Sequence, residues 1–273
     1  MLFERLDTPE AEALMTAMQR SLEGQASRVV TFLPGGGRGL RRAVFGPDGE
    51  TLFASAGVSE EKLVCAQALR PGKTYEGRFV EELRPPLRLF LLGAGDDAKP
   101  LAALAAVLGW TVVVADGRQQ LARAERFPGV ERVLVVSDTK QLGIAAEDAV
   151  VLMTHSYEQD RALLADLVRA EVRPRYLGLL GSRHRSSLLV SEAAVMAGRS
   201  MEDCCRSLFA PVGLDLGGDG PEAIALAVMA EVQACCHGRA VSSRRLSVDD
   251  IREQIEKGGA SRYLQAPCAV NGL

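Results

Sequence analysis

The chain has 273 residues, room for one large domain or two ordinary ones; 47% are apolar and 25% charged, the mix of a soluble globular protein. With 32 Lys and Arg against 35 Asp and Glu, the net charge is −3, which gives no overall field for nucleic acid or an anionic membrane. Aromatic residues at 5% are too few for base-stacking platforms.

The N-terminus, MLFERLDTPE, lacks a basic start followed by an apolar run and is not expected to be a signal peptide. The longest uncharged stretch, Pro100 to Ala115, has 16 residues, short of the roughly 18 that suggest a membrane span. Six cysteines (Cys65, Cys204, Cys205, Cys235, Cys236 and Cys268) show no C-x-x-C spacing, so reduced thiols in a cytoplasm are the simplest account. Three histidines, none paired at ligand spacing, argue against a structural zinc site.

The first 84 residues read as a small α+β unit. A helix is expected from Pro9 to about Leu22, then short strands at Val29–Leu33, Leu40–Phe45 and Thr51–Ala54 with Gly-rich turns between them. The run Pro34-Gly35-Gly36-Gly37-Arg38-Gly39 lacks the Gly-Lys-Ser/Thr ending of a phosphate loop and reads as a hairpin turn. A helix around Glu60–Leu69 and a strand around Thr74–Val80 complete the unit. The stiff joint Arg84-Pro85-Pro86 marks a domain boundary.

From Leu87 onward, apolar runs recur at Leu87–Leu92, Thr111–Ala115, Arg132–Val136, Ala149–Thr154 and Tyr176–Leu180. Unbroken apolar strands belong to a parallel sheet buried on both faces. Helical segments at 98–108, 157–171, 184–197 and 221–236 alternate with them, which predicts a doubly wound α/β domain over 85–239 with strand order 3-2-1-4-5. The tail 240–273 is more polar, with one helix expected at Val248–Lys257.

Gly93-Ala94-Gly95-Asp96-Asp97-Ala98 is a G-x-G-x-x-A that follows the strand RLFLL and opens a helix. Asp116 ends the next strand, 23 residues after Gly93. This is the context of a dinucleotide fingerprint, and it predicts a Rossmann-like unit: glycines for a tight turn and close phosphate approach, helix amides as an anion site, and an acid for a ribose diol. Nicotinamide binding does not follow from the fold, because Asp96 and Asp97 place carboxylates where they compete with a phosphate for the same amides.

Three more clusters fall at strand ends. Thr154-His155-Ser156 closes the fourth strand; His155 is either a hydrogen-bonded structural residue or a crevice ligand. Gly181-Ser182-Arg183 closes the fifth. Seven arginines between Arg161 and Arg199 face only Asp166, Glu171 and Glu192, so that stretch is either a solvated helix face or a basic lip for an anion. Pro211–Glu222, rich in glycine, forms a tight loop before the last helix, with Asp219 near its cap and Asp215 a structural acid rather than a catalytic one. Cys204-Cys205 and Cys235-Cys236 read as buried helix residues.

Taken in order, LFLLGAGDDAKPLAALAAVLGWTVVVADGR, VVLMTHSYEQDRALL, RYLGLLGSRHRSSLL and APVGLDLGGDGPEAIALAVMAEV closely resemble the XdhC/CoxI family over about residues 85–237. These are accessory proteins of xanthine dehydrogenase and related molybdenum hydroxylases. The resemblance implies a C-terminal Rossmann domain behind an N-terminal α+β domain. It also implies a carrier that binds molybdenum cofactor, protects it while a cysteine desulfurase supplies its sulfido ligand, and delivers it to the apo hydroxylase, with a homodimer as the expected assembly. The alternatives from other classes are an NAD(P)-dependent oxidoreductase and a nucleotide-binding regulatory module. On the carrier reading, Gly93, Gly95, Asp96, Asp97, Asp116, His155, Ser182 and Arg183 line one cofactor cleft, and no residue is catalytic. The chain departs from the family pattern twice. Ala54–Glu61 lacks the Ser-Gly-Gly-Cys-type motif, and Asp96 stands where many members have His.

Overall fold

A computed structural model of the chain describes residues 4–35, 39–75 and 77–239. The helix expected at Val248–Lys257, and Cys268, lie outside the described residues. Two sheets are built in sequence, joined by residues 84–87.

The first is antiparallel. It contains β1 (Ser27–Phe32), β2 (Arg41–Phe45), β3 (Thr51–Ala54), β4 (Lys73–Tyr75) and β5 (Arg78–Leu83), in the order β3-β2-β1-β5-β4. Side chains alternate across a strand, so Val29 and Val44 meet α1 (Pro9–Leu22) on one face while Val30, Ala43 and Phe45 meet α2 (Glu60–Gln67) on the other. Helix α1 starts where Thr8 accepts the Ala11 amide at 3.2 Å, with Pro9 in the first turn. The single strand expected at Thr74–Val80 is a hairpin instead, with β4 and β5 paired Tyr75↔Arg78 around a turn at Gly77.

The second sheet is parallel throughout. Its strands β6 (Arg88–Leu92), β7 (Thr111–Ala115), β8 (Arg132–Leu134), β9 (Ala149–Leu152), β10 (Tyr176–Leu179) and β11 (Leu208–Phe209) lie in the order β11-β10-β9-β6-β7-β8. That is the expected 3-2-1-4-5 order with one further two-residue strand at the edge. Leu89 and Leu91 point to one layer, packed with α3 (Ala98–Val107) and α7 (Pro221–Cys236). Phe90 and Leu92 point to the other, packed with α4 (Tyr157–Arg169) and α5 (Arg183–Ala197). A short helix α6 (Met201–Cys205) precedes β11. Both faces of the sheet are covered, which is why its strands read as continuous apolar runs. The chain direction of build-up reverses at β6, which pairs with β7 on one side and β9 on the other. Crevices of such sheets open there, beyond the carboxyl ends of the strands.

Candidate functional site

The fingerprint loop sits at that switch point. Gly93 has φ +131°, and a Cβ on it would stand 2.3 Å from the Met153 carbonyl oxygen. Only glycine lets the loop lie this close to the end of β9. The Gly93 amide donates to Ala115 O at 2.8 Å, tying the same loop to β7. Neither acid of the loop occupies the amides of α3 in the way the sequence suggested. Asp97 makes no side-chain cap, and Asp96 turns outward to Lys99 Nζ at 2.7 Å and Arg126 Nη2 at 2.9 Å. Those two cations hold the Asp96 carboxyl below its usual range, Lys99 most of all. Arg126 also donates to Ala94 O at 2.6 Å and Leu121 O at 2.8 Å, so it braces the loop from outside.

Asp116, at the end of β7, is buried and fully engaged. Oδ2 accepts the Ala94 amide at 2.8 Å and Arg118 Nη2 at 2.8 Å; Oδ1 accepts the Arg118 amide at 2.8 Å and Nε at 2.9 Å. A carboxylate offers about four lone-pair sites, and all four serve the protein itself. Burial alone raises this carboxyl's pKa, but the Arg118 guanidinium and the Ala94 and Arg118 amides outweigh it, leaving the group below its ordinary value. Arg118 continues the chain of contacts by donating to Thr154 O at 3.0 Å. Sequence reading passed over Arg118; the signal was the Asp-x-Arg spacing at the end of an apolar strand.

A second buried acid completes the belt. Asp160, in the first turn of α4, accepts the Thr154 amide at 3.1 Å and hydroxyl at 2.7 Å on Oδ1, and Arg185 Nη2 at 2.7 Å on Oδ2. Arg185 Nη1 then donates to Leu180 O at 3.1 Å. The strand ends of β7, β6, β9 and β10 are thus laced by charge-assisted hydrogen bonds that meet at Thr154. Ser156 and Ser182 cap α4 and α5, accepting the amides of Gln159 and Arg185. Asp160 was also missed, and Arg185 was counted only within the basic excess.

His155 is the single non-glycine residue with positive φ, +62°, among the described residues. Its Nε2 lies 3.2 Å from Asp97 Oδ2, and its ring borders Gly95. Gly93, Gly95, Asp97, Asp116 and His155 therefore meet at one place. Ser182 and Arg183 stand at the end of β10, joined to that place through Arg185, Asp160 and Thr154. Arg183 is exposed in the first turn of α5.

The basic excess mostly resolves into pairs whose acids lie outside the stretch first counted. Arg173 meets Asp203 at 2.8 Å, Arg175 meets Glu147, and Arg185 meets Asp160. Arg161 pairs with Glu192 and Arg169 with Asp166. The loop before α7 is pinned by Glu231, which accepts Gly213 N at 2.9 Å and Tyr176 Oη at 2.6 Å, while Asp215 and Asp219 are exposed and Gly220 is the cap residue. A cavity of about 420 Å³ beside Leu214, Glu231 and Cys235, and one of about 270 Å³ beside Ser27 and Phe45, lie away from the fingerprint loop. Among the described residues no helix is long and apolar enough to cross a membrane, and no group of three or more His, Cys, Asp or Glu is placed to hold a metal ion.

Residues 89–232 match the family model described as the XdhC Rossmann domain. A Bacillus subtilis protein named as a probable xanthine dehydrogenase subunit is 34% identical over 157 residues, which are 56% of this chain and 44% of that protein. The molybdenum cofactor insertion chaperone PaoD of Escherichia coli is 30% identical over 173 residues, 63% of this chain and 47% of that one. The chain thus spans less than half the length of these relatives. A crystal structure of a xanthine dehydrogenase from Bacillus halodurans covers 91% of this chain and 70% of its own, with a TM-score of 0.71 at 24% identity, a likeness of fold. With a family match running from β6 through most of α7, over more than half of its length, this chain belongs to the XdhC Rossmann-domain family.

Proposed function

We propose that this chain is an accessory protein that binds molybdenum cofactor as cargo, shields it during sulfuration, and delivers it to an apo hydroxylase of the xanthine dehydrogenase kind. Family membership and the name of the PaoD relative support this reading. A cysteine desulfurase and a second copy of the chain complete the proposed assembly, and a cytoplasmic location goes with it.

The observation that carries the reading is the Asp116 carboxylate. In a nicotinamide enzyme the acid at this position holds the ribose diol. Here its four lone-pair sites are filled by Ala94 and Arg118, so a ribose would have to displace a bidentate arginine from a buried carboxylate. A pterin with a dithiolene and a phosphate makes no such demand. The loop amides at Gly95–Asp97 and the exposed Arg183 suit its phosphate, and the His155 ring suits a polar pterin edge.

The test is loading. Full-length chain incubated with molybdenum cofactor and passed through gel filtration is expected to retain about one molybdenum and one pterin per cleft, measured by metal analysis and pterin fluorescence. Elution of the protein free of both contradicts the reading.

A further inference from the structure

The pairing of Arg118 with Asp116 does not use up the guanidinium. In the sheet β6 lies between β7 and β9, and Arg118 donates to Asp116 at the end of β7 and to the Thr154 carbonyl beyond the end of β9. The guanidinium therefore lies across the end of β6, on the floor of the crevice. Nε and Nη2 make those bonds, while Nη1 has no hydrogen-bond partner among the described residues. The Arg118 side chain is 35% exposed above an Asp116 side chain that is 1% exposed. The buried carboxylate fixes the planar fork from below, and one nitrogen with two N–H groups is left for whatever enters.

This arrangement inverts the fingerprint. Where such folds present an acid to the hydroxyls of a ribose, this chain presents a donor. The donor stands on a floor of balanced charge, since Arg118 and Arg185 face the two buried acids Asp116 and Asp160. Such a floor is complementary to a neutral acceptor rather than to a further anion.

We infer that Arg118, positioned by Asp116, is a ligand-reading residue of the crevice, its Nη1 donating to the ring carbonyl of a flat, neutral heterocycle. This rests on the cargo reading above and deepens it, because a pterin ring carries one such carbonyl. Arg118 then reads the ring, while the loop amides are left to the phosphate.

The test uses the full chain and two probes without phosphate or metal: pterin, and 2,4-diaminopteridine, in which an amino group replaces the ring carbonyl. Both are titrated calorimetrically at neutral pH into wild type and Arg118→Lys. Wild type is expected to bind pterin at least about tenfold tighter than the diamino ring, since an amino group cannot accept from Nη1. Lysine keeps a cation beside Asp116 but has no second nitrogen to offer, so in Arg118→Lys the preference is expected to fall below about threefold. An arginine that only braced the strand ends would change the melting temperature and leave the preference intact. Should Arg118→Lys not fold, Arg118→Gln replaces it. Wild type that shows no preference, or binds neither ring, overturns the inference, and so does a folded variant that keeps the preference. A chain that prefers pterin yet retains no molybdenum cofactor contradicts the cargo reading alone. One that retains the cofactor without the preference contradicts the assignment of Arg118 alone.

Discussion

Arg185 and Asp160 form a pair at 2.7 Å in which the carboxylate is completely buried and the guanidinium about one-quarter exposed. It bridges the first turns of α4 and α5, and through Thr154 and Leu180 it fixes the ends of β9 and β10. Asp160→Ala would leave the Thr154 amide and hydroxyl and the Arg185 guanidinium short of their acceptor. The expected cost is about 3–5 kcal/mol, read from urea unfolding. A loss below about 1 kcal/mol would mean that the belt is not structural.

Asp116 couples stability to pH. Its folded pKa lies below the unfolded value, because the Arg118 and Ala94 contacts outweigh burial. A group of this kind contributes stability above its unfolded pKa, near 3.9 for Asp, and loses it as pH falls through the lower folded value. Asp116→Asn is expected to cost about 2–4 kcal/mol at neutral pH. The gap to wild type should narrow only in the acid range below about pH 4. Thermal melts of both proteins across pH check this; a gap unchanged down to about pH 2 contradicts it.

The two fingerprint glycines should behave differently on substitution. Gly93→Ala drives a Cβ into the Met153 carbonyl, a backbone group that cannot step aside, at a φ of +131°. It is expected to cost more than about 3 kcal/mol or to prevent folding. Gly95→Ala meets only the exposed His155 ring, at 3.4 Å, and should stay within about 1 kcal/mol of wild type. Equal costs, measured by denaturant unfolding, would count against the geometry at β9.

Arg183 and Arg185, two residues apart, are assigned opposite roles. Arg185→Ala removes the partner of a buried carboxylate and should destabilise by a few kcal/mol. Arg183→Ala, at an exposed first-turn position, should leave stability within about 0.5 kcal/mol. On the cargo reading it weakens cofactor binding by about tenfold to a hundredfold, the loss of one charge-assisted hydrogen bond to phosphate. Unfolding curves and cofactor titration separate the two; an Arg183→Ala protein that binds as tightly as wild type removes Arg183 from the site.

The order of the parallel sheet was legible because burial on both faces makes each strand a plain apolar run, as in RLFLL and TVVVA. Helices α3, α4, α5 and α7 followed from the segments between the runs. The β4–β5 hairpin was not, since a turn at Gly77 splits what reads as one stretch, and β11 has only two residues. At the site, glycines and strand-end residues could be read because topology alone brings strand ends together. Their partners could not. Asp160 and Arg185 lie 25 residues apart on different helices, and nothing in one sequence pairs them. The spacing around Asp116 suggested a ligand contact, whereas Arg118, two residues on, claims that carboxylate. The left-handed backbone at His155 leaves no mark in the residue type.

The central claim is delivery, and transfer measures it most directly. Full-length chain preloaded with molybdenum cofactor and freed of unbound cofactor is mixed with an apo hydroxylase of the xanthine dehydrogenase kind, with substrate turnover followed over time. The account predicts turnover that rises in proportion to loaded chain, reaches about one active site per cofactor supplied, and is absent with unloaded chain plus NAD. An apo hydroxylase that stays inactive with loaded chain, yet is activated by the same amount of free cofactor, would contradict it.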